Sequence, residues 1–176
     1  LGTNDIFSTV LYNDQVETLV QPAAITRKDS ITQLMDKIRV RGTTNLSGGW
    51  LEGCQHVAQN LDTTRLNRVI LMSDGLANRG ITDMQSLVKM ARQKREEGIS
   101  TTTMGLGRDF NEDLMMEMAN AGGGAFYFIE SPEVTPEIFH EELAGLLNVV
   151  GQNLVITIVP NEYVQNIHQL NAYSVR

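Results

Sequence analysis

The sequence predicts an α/β protein: a doubly wound, mostly parallel sheet with helices on both faces. Three observations carry this reading. Strand-like and helix-like segments alternate from Arg68 to Val149, the pattern of successive βα units. The run Arg68-Val69-Ile70-Leu71-Met72 is apolar after its first residue and stops at Ser73-Asp74-Gly75, as expected of a strand covered on both sides in a parallel sheet. From Leu46, the residues Trp50, Leu51, Cys54, Val57, Ala58 and Leu61 recur at steps of three and four, which marks a helix buried along one stripe.

Each element has its own local reason. Ile6 to Tyr12 and Val16 to Val20 are β-prone runs around Asn13-Asp14-Gln15, a hairpin with turn-forming residues at its tip. Ser30-Ile31-Thr32-Gln33 has capping-box spacing, with Ile31, Leu34, Met35 and Ile38 as the stripe of a short helix. Before the helix at Leu46 lies Arg41-Gly42-Thr43-Thr44-Asn45, where Thr43 and Thr44 are the default capping residues. After the strand at Arg68, Thr82-Asp83-Met84-Gln85 forms a second capping box. Its helix carries Lys89 to Arg95 near the end and is followed by Gly98, so charge and terminator both suit the helix dipole. Ile99 to Met104 is a β-branched strand. Asn111 caps a helix with Glu112 and Asp113 in its first turn and Gly122-Gly123-Gly124 as its stop. Ala125 to Ile129 is the next strand and Pro136 to Val149 the next helix. Beyond Gly151, Asn153 to Val159 alternates like an antiparallel strand, and Asn171 to Val175 reads as another. The expected organisation is one domain over 1–150 and the start of a β-rich segment over 151–176.

Composition bounds the function. The 176 residues are 41% hydrophobic and 20% charged, ordinary for a globular chain and inconsistent with a disordered or collagen-like one. Fourteen Lys and Arg against 21 Asp and Glu give a net charge of -7, which repels phosphate backbones, so no nucleic acid is expected as a partner. No apolar run reaches the length of a membrane span. The single cysteine, Cys54, falls on the apolar face of its helix and reads as a core residue rather than a nucleophile. His56, His140 and His168 are too scattered for a dyad or a metal cluster. Gly105-Leu106-Gly107 follows a strand, but the third glycine of a dinucleotide fingerprint would fall at Phe110.

Two residues qualify for chemistry. In an open α/β sheet, ligands sit beyond the carboxyl ends of the strands. Asp74 directly follows the most apolar strand, and Thr44 stands in the loop before the Leu46 helix. A carboxylate and a hydroxyl are hard oxygen donors suited to magnesium, which takes six oxygens and retains several waters. No base, nucleophile or second acid stands at recognisable spacing from Asp74, so no catalytic residue and no enzymatic activity is expected.

At these positions the chain resembles the von Willebrand factor type A family. The resemblance is carried by Gly42-Thr43-Thr44-Asn45-Leu46-Ser47-Gly48-Gly49, Val69-Ile70-Leu71-Met72-Ser73-Asp74-Gly75-Leu76-Ala77-Asn78, Thr102-Thr103-Met104-Gly105-Leu106-Gly107 and Asn120-Ala121-Gly122-Gly123-Gly124. These pieces cover roughly residues 5 to 147 in order. The chain looks most like bacterial secreted or surface members, and more loosely like the same module in inter-alpha-trypsin inhibitor heavy chains; such members commonly continue into a β-rich domain.

The resemblance implies a Rossmann-like sheet carrying a metal-ion-dependent adhesion site, in which a divalent ion, magnesium or manganese, bridges the protein to a carboxylate on a partner. Thr44 and Asp74 are then the metal ligands. The family's Asp-x-Ser-x-Ser motif, which ends its first strand and supplies further ligands, does not occur in these 176 residues, and Ile6 to Tyr12 corresponds to the family's second strand. The resemblance therefore implies an incomplete site that binds metal weakly. It also implies a sheet lacking its central strand, with exposed edges open to pairing between copies. The expected function is a cation-dependent protein-interaction or adhesion module of a larger protein, outside the cell or at its surface, with an acidic residue on its protein partner. Two other readings stay open at this level: a structural remnant without metal, and a hydrolase using Asp74.

Overall fold

The computed structural model describes residues 2–25, 33, 43–147, 157, 159–161 and 163. The expected helix at 30–38 and the segments expected over 151–176 lie outside these residues apart from a few isolated positions. Within them the order is β1 (Ile6–Tyr12), β2 (Val16–Ala24), α1 (Leu46–Gln59), β3 (Arg68–Ser73), α2 (Met84–Glu96), β4 (Ser100–Leu106), α3 (Glu112–Gly122), β5 (Gly123–Ile129), a single 3-10 turn (Pro132–Val134) and α4 (Thr135–Leu147).

The expected α/β architecture is present, and its strands fall into two sheets. β1 and β2 form an antiparallel pair, while β3, β4 and β5 form a parallel sheet in that order. Arg68 to Ser73 pair in step with Ser100 to Gly105. Gly123 opposes Thr101, and Phe126 to Ile129 oppose Thr103 to Leu106. Among the described residues no ladder joins β1 or β2 to β3.

Helix α1 spans both sheets. Its glycines Gly49 and Gly53, one turn apart, let its backbone come close to each: a Cβ on Gly49 would run into the Tyr12 ring of β1, and one on Gly53 would lie 3.3 Å from Val69 Cγ1 of β3. The Tyr12 hydroxyl donates to the Met72 carbonyl, and Asn45 N–H donates to Asn13 O at 2.8 Å. These bonds tie the hairpin to the parallel sheet where no ladder does.

Strand alternation sorts the parallel sheet into two faces. Leu71 of β3 packs with Leu46, Trp50 and Cys54 of α1, Leu87 and Ala91 of α2, and Leu114, Met115 and Met118 of α3 in one core cluster. Polar side chains on this face are paired inward: Trp50 Nε1 donates to Thr101 Oγ1 at 3.1 Å, and Thr103 Oγ1 to the Met115 carbonyl at 2.7 Å. Cys54 belongs to this core, and burial pushes its thiol up to about 12, with Lys94 opposing weakly. That is the inert core residue expected from its place on the helix.

The opposite face meets α4 through a buried ionic network. Glu142 Oε1 accepts from Arg68 Nη1 and from Thr102 Oγ1, both at 2.6 Å, and Glu142 Oε2 accepts from Tyr127 Oη at 3.1 Å. Helices therefore lie on both faces, α1, α2 and α3 on one and α4 on the other.

Two caps differ from expectation. α1 is capped by Asn45, whose side chain accepts from Gly48 N–H, rather than by Thr43 or Thr44. α2 is capped by Asp83, which accepts from Ser86 N–H, rather than by Thr82. Asn and Asp outrank Thr as caps, and a carboxylate also gains from the positive end of the helix dipole. The Asn111 cap of α3 and its acidic first turn are as expected, and Gly123, with φ of 70°, ends that helix in the left-handed region and begins β5 directly.

Candidate functional site

The site is built from the carboxyl end of β3 and the loop before α1. β3 delivers Ser73 and Asp74 to the rim: Ser73 is buried, while Asp74 is exposed. Ser73 Oγ turns back to donate to the Gly75 carbonyl at 3.0 Å, which closes the turn and fixes where Asp74 leaves the strand.

The segment after Asp74 then wraps around Thr44. A Cβ on Gly75 would lie 3.4 Å from Thr44 Oγ1, so the residue next to Asp74 is in van der Waals reach of the threonine hydroxyl. Asn78 Oδ1 accepts from Thr44 N–H at 2.8 Å. The Thr44 carbonyl accepts from Asn78 N–H at 3.2 Å and from Arg79 N–H at 3.3 Å. Ile81 N–H donates to Ser47 Oγ at 2.8 Å. Thr44 is thus held on its amide and its carbonyl by a segment some 34 positions away, and Asn45 rather than Thr44 caps α1.

Gly80 is needed for this loop. It sits at φ of +74°, a region costly for any residue with a Cβ, and a Cβ there would collide with the Asn45 amide and lie 2.5 Å from Ser47 Oγ.

Tyr12 closes the inner side. Burial pushes its hydroxyl up to about 12, the Ser73 hydroxyl opposes this, and the negative charge of Asp74 adds to it. The phenol is therefore a neutral donor next to the Asp74 carboxylate's field at any ordinary pH.

The two sequence-predicted residues, Thr44 and Asp74, are thus brought to the same carboxyl edge. Their donor chemistry, one carboxylate and one hydroxyl on adjacent braced segments, suits a hard divalent cation and supplies two of the roughly six oxygens such an ion takes. Among the described residues, no group of three or more His, Cys, Asp or Glu converges to hold a metal. In chemistry the two donors fit part of such a shell. Tyr12 and Asn78 were not legible as site residues, because their roles arise from contacts across 60 and 34 positions, and no local pattern records such distances.

Comparison with known proteins decides the family. The profile of the von Willebrand factor type A domain matches residues 2–141. The chain belongs to the von Willebrand factor type A domain family. This von Willebrand factor type A domain is 25% identical over 155 residues to the uncharacterized protein YfbK of Escherichia coli K12, covering 88% of the chain and 27% of YfbK. The chain thus spans about a quarter of that relative's length. In fold it is similar to the von Willebrand factor type A structure from Catenulispora acidiphila, with TM-score 0.65 at 18% identity over 80% of this chain and 33% of that one. It is also similar to proximal thread matrix protein 1 from the mussel byssus, a structure with a zinc-occupied MIDAS motif, with TM-score 0.59 at 20% identity over 81% of this chain and 37% of that one.

Proposed function

We propose that this von Willebrand factor type A domain is a non-enzymatic protein-interaction module in which Thr44 and Asp74 help hold a divalent cation, magnesium or manganese, that engages an acidic side chain of a protein partner. The observation that supports this reading is the bracing of the Thr44 backbone by the loop that follows Asp74, with a Cβ position at Gly75 lying 3.4 Å from the Thr44 hydroxyl oxygen. Supporting it are the family membership and the zinc-occupied motif of the mussel protein.

When bound, the cation supplies a positive charge and open coordination positions for a carboxylate. The chain's own residues do the rest. Asp74 contributes the one negative charge of the pair. Asn78 and Arg79 fix the Thr44 backbone, which lowers the entropic cost of recognition. Tyr12 stays neutral beside Asp74 and adds no competing charge.

The single cysteine, Cys54, is buried with its thiol pushed up to about 12, which does not suit a nucleophile. Placement at the cell surface or outside the cell is part of the same proposal, drawn from the resemblance to bacterial surface members. Among the described residues, no helix is long and apolar enough to cross a membrane.

The test is binding of the purified chain to acidic and amidated forms of one immobilised peptide, with magnesium and with chelator, alongside assays for phosphatase and protease turnover. The proposal expects binding only to the acidic form and only with metal, and no turnover. Hydrolysis that disappears in Asp74→Asn would overturn it.

A further inference from the structure

We propose that β5 is a self-association edge: two copies of this chain join by antiparallel pairing of their β5 strands, with Tyr127 opposite the partner's Tyr127. Two three-stranded sheets thereby become one. β5 lies beyond β4 from the strand that carries Asp74, and the inference does not depend on the metal reading.

β5 ends its sheet, and among the described residues no strand pairs with its outer side. Its inner side fixes which backbone groups face outward. The Ile129 carbonyl accepts from Gly107 N–H at 3.0 Å, and Ala125 N–H donates to Thr102 Oγ1 at 3.3 Å. The odd-numbered residues therefore turn their backbone groups toward β4, and Phe126 and Phe128, which alternate with them, turn theirs outward. The strand reads Gly-Gly-Ala-Phe-Tyr-Phe-Ile. It has neither the charge nor the proline that ordinarily keeps an edge from pairing. Phe128 is 45% exposed on a firm support: its ring centroid lies 5.9 Å from that of Phe110, which packs against Phe126 at 6.2 Å.

Register and charge select a second copy as the occupant. Phe126 to Ile129 run in step with Thr103 to Leu106, while the ladder slips between Thr101 and Thr103, so the regular part of β5 surrounds Tyr127. A two-fold axis at Tyr127 sets Phe126 opposite the partner's Phe128, and Phe128 opposite the partner's Phe126. These are the residues whose N–H and C=O face out, so each pair exchanges both hydrogen bonds and sets two aromatic rings side by side. An axis at Phe128 would instead set Phe126 against the partner's Glu130, and one at Phe126 would draw the irregular Gly124 into the ladder. The flanking charges agree. Arg95 Nε lies 2.8 Å from the Cβ position of Gly123, at the start of β5, and exposed Glu130 follows its end. Neither forms an ion pair with a described residue. Antiparallel pairing brings the Arg95 end of each strand to the Glu130 end of the other, whereas parallel pairing would set like charges together.

The test is sedimentation equilibrium of the purified chain over a concentration series, with amide hydrogen exchange read on the same samples. The expected result is a monomer–dimer equilibrium in which exchange at Phe126 and Phe128 slows as the dimer fills. Exchange at Tyr127 and Ile129, whose amides already face β4, should not change. Phe128→Lys alters an exposed side chain and enters the interface twice, so the midpoint should move about tenfold to higher concentration. Tyr127→Cys should cross-link two copies on oxidation, because facing residues of a non-hydrogen-bonded antiparallel pair have Cα atoms about 4.5 Å apart, within disulfide reach. Phe128→Cys, offset from the partner's Phe128, should not. Tyr127→Cys loses its bond to Glu142, so the exchange pattern and Phe128→Lys decide the matter if that variant folds poorly. A chain that stays monomeric throughout, association that continues past two copies, or a dimer indifferent to Phe128→Lys overturns the proposal. So does a dimer in which Phe126 and Phe128 exchange no more slowly than in the monomer.

Discussion

Replacing Glu142 with alanine tests how α4 is held to the sheet. Glu142 is 4% exposed and accepts from Arg68, Thr102 and Tyr127. Its loss leaves a guanidinium without its counter-charge and two hydroxyls without their acceptor. Breaking a buried pair from one side costs about 3–5 kcal/mol. Arg68 keeps 16% of its side chain exposed and still donates to Ser100 Oγ and Thr102 Oγ1, each at 3.0 Å, so water and these hydroxyls recover part of the loss and about 2–4 kcal/mol remains. With a urea slope of about 1–3 kcal/mol/M, this lowers the unfolding midpoint by roughly 1–2 M. The double variant Arg68→Met, Glu142→Leu should be more stable than Glu142→Ala, because neither charge is then left alone. A Glu142→Ala midpoint within error of the parent, or a double variant no better than the single one, would refute the reasoning.

Two further outcomes follow from the same geometry. Tyr12 and Tyr127 should resist ionisation until about pH 12, Tyr12 through burial first and Tyr127 through burial and then its bond to Glu142, as read from tyrosinate absorbance. Because both values are raised above the ordinary 10.0, their contribution to stability is fully present below pH 10 and is lost as pH rises through about 12, so alkaline unfolding should fall in that window. Gly80→Ala should cost about 2–3 kcal/mol, combining left-handed strain with disruption of the Asn45 cap. Gly107→Ala, with φ of 70° and nothing within 4 Å of its Cβ position, should cost only the strain, about 1–2 kcal/mol. Equal urea midpoints for the two variants would contradict the role given to the 74–81 loop.

Much of the fold was legible because local physics and tertiary packing agree. The apolar run at Arg68 can only be satisfied between two layers, and it became β3 under α1. Asn111 with Glu112 and Asp113 reads as a helix start by itself, and it is one. Where neighbours offered the same chemistry, spacing alone could not choose. Thr82 and Asp83 both suit a cap, and the carboxylate prevailed; Thr43, Thr44 and Asn45 all suit one, and Asn45, directly before Leu46, takes it. Asp74 and Thr44 could be singled out because each stands where a strand or helix exposes its end. The bracing by Asn78 and the neutral phenol of Tyr12 could not, since both depend on the hairpin, the sheet and α1 meeting in space.

The central claim, that Thr44 and Asp74 hold a divalent cation, is tested most directly by calorimetric titration of manganese into the chain and into Asp74→Ala. Two protein oxygens, one of them neutral, should hold a hard cation weakly, so the parent chain should show weak saturable binding and the variant at least a tenfold loss. Titration heats that are unchanged by Asp74→Ala would contradict the account.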